Sequence, residues 1–134
     1  MRFLLDLARK LKPFKYAGNE TPRFKGKDIA LIFKKKSTRT RFAVDVAVRD
    51  KGGHVAYIDP ARSQLGHKEC LKHTARALGS LYDGVECRSF HQSVIEDIAC
   101  FSHVPVWNGL TDEAYRAQIL ADLRTCGLAD LRTC

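Results

Sequence analysis

At 134 residues, with 45% hydrophobic and 28% charged residues, the chain has the length of one domain and the composition of a soluble globular protein. No apolar stretch approaches the roughly 20 residues that cross a bilayer, and the N-terminal run is broken by Asp6 and followed by no small-residue cleavage site. The net charge of +8 is concentrated at one end, with 13 Lys+Arg against 3 Asp+Glu in residues 1–41 and 10 against 12 in the rest. Those basic residues lie partly on a helix face and partly in one short turn, with no interleaved aromatic platform, so capture of a small phosphorylated anion ranks above nucleic-acid or membrane binding.

In chain order, Phe3, Leu4, Leu7, Ala8 and Leu11 share one helical face, and Pro13 is expected to stop that helix. Residues 13–27 read as a loop with Phe24 as an apolar anchor, and Gly26-Lys27-Asp28 turns the chain into a first strand, Ile29-Ala30-Leu31-Ile32-Phe33. Ser37 is a good N-cap for a helix carried by the pattern from Phe42 to Val48, and Lys51-Gly52-Gly53 ends it. His54 to Ile58 is a second strand, residues 59–66 a loop, and His67 to Leu81 a helix through Cys70, Leu71, Thr74, Ala75 and Leu78. Asp83-Gly84 turns into a third strand that ends at Arg88. A polar loop with His91 and Gln92 leads to a helix from Val94 to Phe101. Val104 to Asn108 is a fourth strand, whose Pro105 points to an edge position or a strand start. Thr111-Asp112-Glu113 is expected to cap a last helix through Thr125.

Strands alternating with helices predict an α/β fold: a three-layer, Rossmann-like sandwich with a central parallel sheet of about four strands and helices on both faces. Ligands in such sheets lie beyond the C-terminal strand ends, so the loops after Phe33, Ile58, Arg88 and Asn108 should gather on one edge. The stretch Lys34-Lys35-Lys36-Ser37-Thr38-Arg39-Thr40-Arg41 is the most pointed of these. A helix start offers unpaired N–H groups and a partial positive charge, the hydroxyls add donors, and Arg39 adds a fork that matches two phosphate oxygens. A solvated basic turn with an ordinary cap is the plain alternative.

The cysteines, Cys70, Cys87, Cys100, Cys126 and Cys134, are odd in number and contain no CxxC pair, so they read as reduced thiols of a cytoplasmic protein, with Cys87 in the core. His54, His67, His73, His91 and His103 have no metal-ligand spacing. The segment from Ala121 to Cys126 recurs from Ala129 to Cys134, which marks residues 127–134 as a duplicated tail after a domain of residues 1–126.

The stretch Phe33-x-Lys35-x-Ser37-Thr38-Arg39-Thr40 resembles the carbamoyl-phosphate signature of the aspartate/ornithine carbamoyltransferase family. Gln64-Leu65-Gly66-His67-Lys68-Glu69 is similar to the loop in which ornithine-specific members send a Gln across a subunit boundary, and Lys35 fits the same branch. The segment from Val104 to Glu113 is close to the family's fourth strand and turn. Where the family continues His-Pro-x-Gln, this sequence has Tyr115-Arg116-Ala117-Gln118.

The resemblance implies that Ser37, Thr38, Arg39, Thr40, Gln64, Arg88 and Gln118 bind carbamoyl phosphate, with Arg39 and Arg88 as the catalytic pair. Tyr115 occupies the position of the family's histidine. It implies carbamoyl transfer to ornithine, giving citrulline and phosphate, with no metal or organic cofactor. It also implies a homo-oligomer, a trimer in the family. The similarity covers the carbamoyl-phosphate half alone, so ornithine would bind only if a second domain is supplied. The alternative is an inactive module of the same fold that binds anions or self-associates.

Overall fold

The computed structural model describes residues 2–34, 37–59 and 70–111. The elements are α1 (Arg2–Ala17), β1 (Asp28–Phe33), α2 (Thr38–Asp50), β2 (His54–Ile58), α3 (Leu71–Leu81), β3 (Gly84–Phe90), α4 (Gln92–Ser102) and β4 (Val106–Thr111). The four strands form one parallel sheet in the order β2-β1-β3-β4. Helices cover both faces, which is the expected three-layer α/β arrangement.

Alternation along β1 splits the core. Ala30 and Ile32 join Val85 and Cys87 of β3 beneath Ala75 and Leu78 of α3 and Ile95 and Ile98 of α4. Ile29, Leu31 and Phe33 point the other way, toward Val48 and Val44 of α2, with Phe24 packed against the same cluster. From Ile29 to Phe33 every residue of β1 is buried, because this strand has a neighbour on each side and a layer on each face.

Several boundaries differ from the sequence reading. α1 runs through Pro13 to Ala17. Proline removes one bond of the helical ladder, while the real stop is Gly18, whose φ of +67° is accessible to glycine. Gly18 N–H donates to Lys15 O at 3.2 Å and Asn19 N–H to Phe14 O at 3.1 Å, a Schellman closure. The same closure ends α2 at Gly52, as expected, with bonds to Arg49 O and Val48 O. β3 continues to Phe90, two residues past Arg88, because β4 keeps pairing with it across an irregular register. His91 is therefore the N-cap of α4 rather than part of a loop, and Gln92 is the first helical residue. Cys70 is extended and precedes α3 instead of lying within it. Thr111 closes β4 and so is a strand residue instead of a helix cap. Pro105 stands just ahead of β4, an edge strand, where its missing N–H costs the ladder nothing.

Opposite the strand C-termini, a polar clamp joins β1 to β3. Asp83 accepts from the Lys27 ammonium at 2.6 Å and from Asp28 N–H at 2.9 Å, while its own N–H donates to Asp28 O at 2.8 Å. These bonds to its charged form hold the Asp83 carboxyl below the ordinary carboxylate range. α1 buries no residue and is tied to the end of α2 by a Lys15–Asp50 ion pair. The Lys51 ammonium donates to Glu20 at 2.7 Å, which fastens the following loop to the same helix end.

Candidate functional site

The anion site predicted from sequence begins where β1 ends. Phe33 stands opposite Arg88 in the β1–β3 register, and Lys34 N–H donates to Arg88 O at 3.1 Å. The turn after β1 therefore starts beside Arg88, which is half-buried on the same face as Phe33. Three residues on, Ser37 is extended (φ −141°, ψ 104°) and α2 starts at Thr38. Ser37 is thus the N-cap residue that the sequence predicts, but its hydroxyl makes no cap bond. Ser37 and Thr40 are half-buried, while Thr38 and Arg39 are exposed at the first turn. Two guanidinium-bearing residues, two elements and a helix N-terminus thereby converge at the C-terminal edge of the two central strands.

Arg41, in the same basic stretch, has a separate role. Its guanidinium lies 4.6 Å from the Tyr57 ring centroid and 5.5 Å from that of Phe42. Tyr57 lies beside Phe33, with ring centroids 6.2 Å apart. Cation–π stacking pins the side chain along the α2–β2 seam.

Two features escaped the sequence reading. The first is a polar network at the far end of the same edge. Asn108 Nδ2 donates to Gln92 Oε1 at 3.1 Å and to Thr111 Oγ1 at 3.4 Å; Thr111 Oγ1 donates to Gln92 Oε1 at 3.2 Å. Gln92 Nε2 in turn donates to Glu96 Oε1 at 3.0 Å. Asn108 Oδ1 is buried and accepts nothing among the described residues. The signal was available in part: Gln92 and Asn108 belong to consecutive elements that a parallel crossover brings to one edge.

The second is Glu86, which is 7% exposed on β3. It pairs with Leu31 of β1 and Trp107 of β4, so it lies on the α2 side with Arg88 two residues ahead. Burial pushes its carboxyl up to about 7, and the charge of Arg88 opposes that shift. In the sequence Val85 and Cys87 alternate with Glu86 and Arg88, which marks 85 and 87 as apolar and gives no sign of burial at 86. On the opposite face Cys87 is fully buried, and its thiol is pushed up to about 12, mainly by burial, so it is an inert core group as expected.

Lys35, Gln64, His67, Tyr115, Arg116 and Gln118 lie outside the described residues, as do Cys126, Cys134 and the repeated tail. Among the described residues no group of three or more His, Cys, Asp or Glu side chains could hold a metal ion. No described helix is long and apolar enough to cross a membrane.

Comparison with known proteins gives this edge a family. Residues 1–127 match the family model described as aspartate/ornithine carbamoyltransferase, carbamoyl-P binding domain. The chain is 59% identical over 125 residues to an ornithine carbamoyltransferase of Actinobacillus pleuropneumoniae serotype 5b, covering 93% of this chain and 37% of the relative. An ornithine carbamoyltransferase of Cutibacterium acnes is 57% identical over the same shares. The solved ornithine carbamoyltransferase from Pyrococcus furiosus superposes with a TM-score of 0.85 at 37% identity, covering 90% of this chain and 39% of that one. The chain thus spans less than half the length of the relatives it matches. With the fold, the strand–turn–helix edge and this match over nearly all its residues, the chain belongs to the aspartate/ornithine carbamoyltransferase family, in its carbamoyl-phosphate-binding domain.

Proposed function

We propose that the chain is the carbamoyl-phosphate-binding part of an ornithine carbamoyltransferase. The observation that carries this reading is the register of Phe33 with Arg88, which sets a guanidinium-bearing residue beside the turn that opens α2. The phosphate is held by the first-turn N–H groups of α2, by Ser37, Thr38 and Thr40, and by the guanidinium of Arg39. Arg88 donates to the carbamoyl oxygen or the phosphate from the neighbouring strand. The ornithine δ-amine attacks the carbamoyl carbon, the new C–N bond forms, the C–O bond to phosphate breaks, and the amine loses a proton. Citrulline and phosphate result. Arg39 and Arg88 stabilise the charge that gathers on the leaving phosphate, an effect that grows toward the transition state.

The remaining roles rest on the matching motifs. Gln118 orients the carbamoyl group, Tyr115 stands in for a carbonyl-polarising histidine, and Gln64 acts across a subunit contact in a cytoplasmic trimer. Residues 1–126 form the binding domain, and residues 127–134 are a repeated tail. Ornithine binds to a second domain, which corresponds to the length of the relatives that this chain does not cover.

Calorimetry with carbamoyl phosphate tests the reading, with circular dichroism to show that each protein is folded. Arg39→Ala and Arg88→Ala each weaken binding by more than about tenfold, the value of a lost charge-assisted hydrogen bond. Unchanged affinity in both variants refutes it.

A further inference from the structure

Glu86 has no role in the site as proposed, yet its setting is unusual. A glutamate is almost never buried without a close partner. No ion pair or hydrogen bond to Glu86 forms among the described residues. Room for its carboxylate is made by a local irregularity in β4: Cys87 pairs with Asn108 and Arg88 with Leu110, so Gly109 is left without a partner. A Cβ at Gly109 would lie 2.6 Å from Glu86 Oε1, so any larger residue would drive the carboxyl away. The surroundings on this face are apolar. β1 contributes Leu31 and Phe33, and β4 contributes Trp107 and Leu110 beside Gly109. α2 turns Val44 and Val48 toward the sheet. Of its charged residues, Asp45 pairs with Arg49 at 2.8 Å, Asp50 with Lys15, Arg41 lies on Tyr57, and Arg39 is exposed at the first turn. Among the described residues, Arg88 is the one ionised group that acts on Glu86.

We infer that Glu86 and Arg88 are coupled through charge along one face of β3, and that anion capture by Arg88 draws a proton onto Glu86. The inference rests on the proposed anion site. Without ligand, a charged Glu86 is stabilised by the positive charge of Arg88, two residues along the same face of β3. An arriving phosphate competes for the same guanidinium and adds negative charge nearby. Both effects disfavour ionised Glu86, which takes up a proton as the ligand binds. Near-neutral titration lets this exchange occur at ordinary pH. Affinity then falls as pH rises through 7, because the proton must be acquired against a lower proton concentration.

The test is calorimetric titration with carbamoyl phosphate at pH 6 and pH 8, in two buffers of different ionisation enthalpy, for the parent and for Glu86→Gln. Comparison of the two proteins cancels the ligand's own ionisation. We expect the parent to lose about threefold more affinity than the variant between the two pH values, as a rise of about 0.7 unit in the linked pKa gives over that span. We also expect the parent to take up more protons on binding. Identical pH profiles and identical proton uptake overturn the inference while leaving the anion site intact. A parent that binds at neither pH overturns both. Carbon-13 titration of the Glu86 carboxyl in the free protein then separates the causes. A midpoint raised by Arg88→Gln means that the pair is coupled and the ligand reading failed, whereas an unmoved midpoint means that the pair itself is wrong.

Discussion

The two faces of the sheet are built to different rules. The face under α3 and α4 is wholly apolar at its centre: Ala30, Ile32, Val85 and Cys87 meet Ala75, Leu78, Ile95 and Ile98. The face under α2 is apolar only across β1 and β2. Over β3 and β4 it carries Glu86, Arg88 and Gly109, with Trp107 43% exposed beside them. Among the described residues, the charged chemistry therefore lies on the α2 side, and the opposite side supplies the packing that holds the strands in register.

That contrast can be broken most severely at Gly79. A Cβ there would sit 1.8 Å from Ser102 O, where α3 and α4 touch. Gly79→Ala must push the two helices apart, and a loss of about 3 kcal/mol or more is expected in urea unfolding. Ile32→Ala, on the same face, leaves a cavity and costs about 3 kcal/mol by the same measurement. On the α2 face the sign reverses. Glu86→Gln is expected to gain about 2 kcal/mol at pH 8, because the parent there holds a buried charge. The folded carboxyl titrates near 7 against an ordinary value of 4.5. Within that window the folded state binds more protons than the unfolded one, so parental stability falls as pH rises through it. The gain should vanish below about 4.5, and a gain that is flat with pH would show that burial does not shift the Glu86 carboxyl. Mildest is His103→Gly. His103 closes α4 at φ +59°, a left-handed conformation that favours glycine. A rise of about 0.5–1 kcal/mol is expected, read as a higher melting temperature.

The legibility of the sequence follows the same division. Each strand of the sheet was visible because apolar runs or alternation betray burial, and β1 was plain because it is buried on both faces. The turn from β1 into α2 was visible because Ser37 is a residue type that favours a helix start. Boundaries were less visible where tertiary pairing decided them. Nothing local in Ser89 and Phe90 says that β3 continues; its pairing with Thr111 does. Pro13 looked like a helix end because propensity speaks for one residue, whereas Gly18 and its two carbonyl partners settle the matter together. Glu86 and the Asn108–Gln92–Thr111 network were missed for a related reason. A polar residue announces its bonding partners only once the strand order is known.

The double-sided pairing of β1 also governs how the domain loses its structure. Amides of Ile29 to Phe33 are bonded within the interior of the sheet, and the Lys34 amide extends that bonding one residue into the turn. Such amides exchange with solvent only when the whole fold opens, while helix ends and edge strands exchange through local fraying. Hydrogen exchange should find its slowest amides along β1, leading directly into the turn before α2. The wall that β1 contributes to the proposed anion site would then be among the last parts of the domain to dissolve.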